Sequence, residues 1–106
     1  MTTTRIESVA GGIRVTGEMT VYTAGQIKQL LVDALAEGPA NVQVDLSGVS
    51  EFDTAGLQLL LLVHREALVS GRSLQFAAAS NIVREVLTLY GALVLLTDLT
   101  NMEGRP

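Results

Sequence analysis

The chain has 106 residues, a formal net charge of −4 and no cysteine, which bounds it to one domain with one core and excludes a disulfide framework or a thiolate metal site. Apolar residues make up 48%, a globular rather than a disordered composition. Lys28 is the sole lysine, and Arg5, Arg14, Arg65, Arg72, Arg84 and Arg105 are scattered, so the basic stripe that nucleic acid or an anionic membrane surface requires is missing.

The longest apolar runs, Leu59 to Val63 and Ala92 to Leu96, fall far short of the ~20 residues that a bilayer needs. The N-terminal "MTTTRIES" has no apolar stretch of the kind a signal peptide carries. The expectation is a soluble cytoplasmic protein without a cofactor.

In chain order, "RIESV" and "GIRVTG" read as two short strands around an "AGG" turn at Ala10 to Gly12. Thr23 and Gln26 have the spacing of a capping box. A helix follows through "AGQIKQLLVDALAEG", with Ile27, Leu30, Leu31, Ala34 and Leu35 on one face, ended by Gly38-Pro39. "NVQVDL" alternates as a strand. Asp53 to Ser70 is a second helix, stopped by Gly71. "SLQFAAA" is another strand, and Asn81 begins a third helix through "IVREVLTLY" up to Gly91. "ALVLLTDL" fits a final strand or a terminal helical turn equally well. Residues 99–106 form an expected frayed tail. No internal repeat or linker interrupts this order. It predicts one α/β domain over residues 1–106, with a mixed four- to five-stranded sheet packed with helices.

The segment "SEFDTAGLQLLLL", Ser50 to Leu62, concentrates the functional signal. With Asp53 as N-cap, its carboxylate accepts the N–H of Ala55 or Gly56. Phe52 and Leu57 then occupy the two positions of a hydrophobic staple. Thr54 falls on the first helical turn, where backbone N–H groups favour an anion. Gly56 would leave room for a partner backbone to approach that hydroxyl. Aspartate, threonine and glycine are also ordinary residues at helix starts. Glu51, Asp53 and either Glu18 or Asp45 are expected near Thr54. If Leu57, Leu60, Leu61, His64 and Leu68 face the core, Leu59, Leu62 and Val69 share the outer side with Gln58, Arg65 and Glu66 as a docking surface.

Catalysis finds little support. His64 is the sole histidine and lies ten residues up the helix from Thr54, ~15 Å away, too far to act as its base. It fits better beneath the helix as a satisfied core histidine. Asp45, Glu51 and Asp53 read as a strand end, a loop acid and a cap rather than a hard-metal site. Gly17, Gly48 and Gly56 lack the spacing and lysine of a phosphate loop.

"DLSGVSEFDTAGLQLLL" resembles the signature of the STAS domain family, of the anti-sigma factor antagonist type: a strand ending D-L-S, then D-S/T-x-G-L opening a helix. "VTGEMTVYTAGQIKQ" and "SNIVREVLTLYGALVLL" are similar to two further blocks of that family, in the same order. Together the blocks cover about residues 5–98. The resemblance implies a non-catalytic regulatory module that binds an anti-sigma factor which is also a serine/threonine kinase, that is released when the kinase phosphorylates it, and that a phosphatase resets. The phosphoacceptor maps onto Thr54. Asp53, Ala55, Gly56, Gln58, Leu59, Leu62, Glu18 and Thr20 are the expected partner-binding residues, Thr20 standing where the family often has an acid. Threonine at the acceptor position also occurs in STAS subunits of bacterial lipid-transport ABC complexes, whose partner is an ABC ATPase, and in chemotaxis or stress-signalling STAS proteins.

Overall fold

A computed structural model describes residues 4–91. The last expected element, "ALVLLTDL", and the tail lie outside the described residues. The element order is β1 (Arg5–Val9), β2 (Gly12–Met19), α1 (Ala24–Glu37), β3 (Asn41–Phe52), α2 (Thr54–Val69), β4 (Ser73–Ala79) and α3 (Asn81–Leu89). The expected ββαβαβ order with a third helix is therefore present.

The four strands line up in the order β1-β2-β3-β4. β1 and β2 form an antiparallel hairpin in which Val9 pairs with Gly12, leaving Ala10-Gly11 as the turn. Gly11 has φ +80°, a conformation that glycine adopts without a steric penalty. β2–β3 and β3–β4 are parallel, as strands joined by crossover helices are.

Alternation sends Ile13, Val15 and Met19 of β2, Val42, Val44 and Leu46 of β3, and Leu74 and Phe76 of β4 into one core. Ile27, Leu31 and Leu35 of α1, Leu57, Leu59, Leu60, Val63 and Ala67 of α2, and Val83 and Leu87 of α3 complete it. Leu30, placed on the inner face of α1 by its spacing, is 39% exposed and lies at its edge.

β3 is twice as long as "NVQVDL" suggests. It runs on through "SGVSEF" because β2 continues beside it: Thr16 pairs with Gly48, Gly17 with Val49, Glu18 with Glu51 and Met19 with Phe52. Register shifts between Arg14 and Thr16 and between Gly17 and Glu18 bring Val49 and Phe52 back into the core. The segment has glycine and serine at loop-like spacing, and the neighbouring strand overrides that local signal.

Helix α2 ends in a Schellman arrangement. The Gly71 N–H donates to the Leu68 carbonyl and the Arg72 N–H to the Ala67 carbonyl, with Gly71 at φ +75°. Arg72 then turns its guanidinium to the end of α1. It donates to the carbonyls of Gly38 (2.9 Å), Pro39 (3.0 Å) and Ala36 (3.1 Å), placing a cation at the negative end of that helix.

Candidate functional site

The site is built where β2 and β3 end side by side and α1 and α2 begin. Asp53 is the N-cap of α2. Its Oδ1 accepts the N–H of Ala55 at 2.9 Å and of Gly56 at 3.2 Å, so the two bonds that the sequence offered as alternatives are both made. Phe52 and Leu57 are buried on either side, in the positions of a staple. Thr54 is the first residue of the helix and is exposed.

The second oxygen of Asp53 performs a task that local sequence did not indicate. Oδ2 accepts the N–H of Val21 at 3.0 Å, 32 residues away in the chain. One carboxylate thus ties the β2–α1 loop to the start of α2. Val21 and Tyr22 ride on that loop, 65% and 91% exposed. Two large apolar side chains beside a capped helix start were legible as "VY" between Thr20 and Thr23, but nothing local showed that they would point outward.

The loop holds itself by hydroxyls. The Thr20 N–H donates to Thr23 Oγ1 at 3.0 Å, and Thr23 Oγ1 donates to the Glu18 carbonyl at 3.0 Å. The Tyr22 N–H donates to Thr20 Oγ1 at 3.3 Å. The Thr23–Gln26 capping box does not form. Thr23 sits at φ −117°, ψ −9° with no side-chain cap bond, outside the extended region where a cap hydroxyl reaches its helix, and its hydroxyl is already engaged with Thr20 and Glu18.

The expected partner-binding residues divide into two groups. Asp53, Ala55, Gln58, Leu62 and Glu18 are exposed or half-buried and lie on or beside the start of α2. Thr20 is 8% exposed and Leu59 4%, and Gly56 is also buried. Gly56 does not open the site to a partner: a Cβ there would overlap the Met19 carbonyl oxygen and lie 2.8 Å from the Phe52 ring. Its role is close packing of α2 on the end of β2.

The inner and outer faces of α2 are rotated from the expected ones. The buried line is Gly56, Leu60, Val63 and Ala67, flanked by Leu57 and Leu59. Leu61 and Leu68 are 47% and 63% exposed instead of buried. At 3.6 residues per turn this is a rotation of roughly 80°. The outer face therefore carries Thr54, Gln58, Leu61, Arg65 and Leu68, with Val69 beside them. The informative signal lay in the small residues: Gly56 and Ala67 mark where the helix comes closest to its neighbours, whereas four consecutive leucines mark no direction.

Two acids meet at the site through the sheet register, since Glu18 and Glu51 are lateral partners. Asp45 does not join them. It lies eight residues before Asp53, seven of them within one extended strand, roughly 20 Å or more at strand rise. Its carboxylate accepts the N–H and hydroxyl of Ser47 at 2.8 and 2.6 Å and pairs with Arg14 at 3.3 Å. The bonds from Ser47 foremost, and after them Arg14, hold its pKa below the ordinary 3.8 against the opposing effect of burial. His64 is half-buried with its ring centroid 6.5 Å from that of Phe76, and ten residues of helix separate it from Thr54. Among the described residues no helix is long and apolar enough to cross a membrane.

Comparison with known proteins agrees with this architecture. A stretch of 49 residues, 46% of this chain, is 39% identical to the anti-sigma-B factor antagonist of Staphylococcus epidermidis. That match spans 45% of the relative's length. The fold is similar to that of the anti-sigma factor antagonist SpoIIAA in its unphosphorylated form, with a TM-score of 0.68 and 20% identity over 98% of this chain and 99% of that one. It is also similar to that of an anti-sigma factor antagonist from Mycobacterium paratuberculosis, with a TM-score of 0.73 and 24% identity over 92% and 84% of the two chains. The family model described as "Mlab, STAS domain" matches residues 2–97, nearly the whole sequence, and the chain belongs to the STAS domain family.

Proposed function

We propose that this protein is an anti-sigma factor antagonist: a non-catalytic cytoplasmic module that binds an anti-sigma factor with serine/threonine kinase activity and is released by phosphorylation at Thr54. The observation that carries the reading is the exposed Thr54 hydroxyl at the start of a helix that Asp53 caps and clasps to a loop bearing exposed Val21 and Tyr22. The likeness to proteins named as anti-sigma factor antagonists supports the same role.

The chemistry asked of this chain is small. The kinase transfers the γ-phosphoryl group of a nucleoside triphosphate. A bond forms between Thr54 Oγ and phosphorus as the bond to the β,γ-bridging oxygen breaks. The hydroxyl proton passes to a base on the kinase, and the nucleoside diphosphate leaves. The product adds about 1.5–2 negative charges beside Asp53, Glu51 and Glu18. The N-terminus of α2 offsets about 0.3–1 kcal/mol of that per charge when exposed. A partner that has desolvated this acidic end feels the remainder as repulsion. A phosphatase restores the hydroxyl.

The test is affinity purification of the native protein, followed by incubation with the captured partner and ATP and mapping of the phosphosite. A small kinase that modifies Thr54 and then dissociates bears the proposal out. Capture of an ABC ATPase with transmembrane subunits, and no modification, overturns it in favour of a transporter accessory subunit.

A further inference from the structure

The two oxygens of Asp53 serve two different segments. Oδ1 takes two N–H groups of the first turn of α2, those of Ala55 and Gly56, and Oδ2 takes the N–H of Val21. Thr54 is the next residue and stands on the same turn. The Val21 bond is the exposed one of the three, and the loop it holds carries two large, exposed apolar side chains, Val21 and Tyr22.

From this geometry we infer that Asp53 is a two-sided clasp that couples the charge at Thr54 to the position of the Val21–Tyr22 loop. A phosphate on Thr54 Oγ competes with Asp53 Oδ1 for the N–H groups of Ala55 and Gly56, because both anions seek the same free donors. It also repels the adjacent carboxylate. Asp53 then swings away from the helix start, and the Oδ2 bond to Val21 breaks with it. Thr20, Thr23 and Glu18 keep the base of the loop through their own bonds and the Tyr22 N–H stays on Thr20 Oγ1, so the backbone change is centred on Val21 and reaches the exposed Tyr22 side chain beside it. Phosphorylation therefore alters the partner surface twice, once by charge at Thr54 and once by releasing the apolar pair.

This inference rests on the reading of Thr54 as a phosphoacceptor, and its test separates the two. Asp53→Asn retains Oδ1 as a cap acceptor, since asparagine caps helices as well as aspartate does. It replaces Oδ2 with an amide group that cannot accept the Val21 N–H. Amide hydrogen exchange followed by NMR on Asp53→Asn is expected to show the Val21 amide exchanging about tenfold faster, with Ala55 and Gly56 unchanged. Phosphothreonine installed at position 54 by codon expansion, without any kinase, is expected to speed Val21 exchange similarly and to shift the Tyr22 ring resonances. The coupling is overturned if Val21 exchange in the phosphothreonine protein matches the unmodified protein, whatever the kinase experiment shows. It is equally overturned if Asp53→Asn leaves Val21 protected. Failure of any kinase to modify Thr54 while both NMR changes appear overturns the function and leaves the clasp standing.

Discussion

Gly56 lies against the carbonyl of Met19, the last residue of β2, so closely that no side chain fits between them. That carbonyl also accepts the Asp53 N–H at 3.4 Å. The start of α2 is therefore seated on the end of β2, and the exposed Thr54 hydroxyl is fixed to a rigid base.

Gly56→Ala is expected to destabilise the fold at the upper end of the about 1–3 kcal/mol that overpacking costs. A backbone oxygen and a buried ring, rather than a flexible side-chain end, stand in the way. Chemical denaturation checks this. An unchanged midpoint would mean that α2 can lift from Met19 at no cost.

Asp53→Ala removes both the helix cap and the tie to Val21. Stability is expected to fall by about 0.5–2 kcal/mol, and partner affinity with it. Urea denaturation and calorimetric titration on the same variant measure the two effects.

Thr54→Ala is expected to keep partner binding and abolish phosphorylation, because it removes a hydroxyl and adds no charge. Thr54→Glu is expected to weaken binding by about 2–5 kcal/mol where the contact is desolvated. Leu61→Asp, on the same outer face, is expected to weaken binding with little change in melting temperature, since Leu61 is 47% exposed. Equal affinity for the alanine and glutamate variants would reduce Thr54 to an ordinary helix-start residue.

Arg72→Ala is expected to cost about 0.5–1.5 kcal/mol, since it removes the charged donor from the carbonyls of Ala36, Gly38 and Pro39, and water can replace it at the exposed ones. Arg72→Lys is expected to recover only part, because one ammonium cannot reproduce the planar fork. The relevant measurement is the denaturation midpoint of all three proteins.

Asp45 gives a pH dependence whose sign follows from its lowered pKa. The folded value lies below the ordinary 3.8. Its stabilising contribution is therefore complete above that ordinary value and is lost as pH falls through the lower folded one. Asp45→Asn is expected to be less stable than the natural protein at about pH 7, with the difference shrinking as the pH is taken below 3.8. A stability difference that stays constant with pH would assign the effect to packing.

The sequence alone determined the order of the described elements, both ends of α2 and the place of Asp53 as its cap. Each of these depends on neighbours within a few residues: alternation, helical spacing, a cap, and glycine after a helix. What the tertiary structure decided involves residues far apart. β3 reaches Phe52 because β2 lies beside it. Thr23 gives up its capping box because Glu18 and Thr20 claim its hydroxyl. α2 turns Leu59 inward and Leu61 outward because Gly56 must seat on Met19, and Asp53 reaches Val21 across 32 positions. Local propensity is set by the chain's own geometry, whereas the facing of a leucine-rich helix and the second bond of a carboxylate depend on which surface folding brings against them, and that is a property of the packed whole.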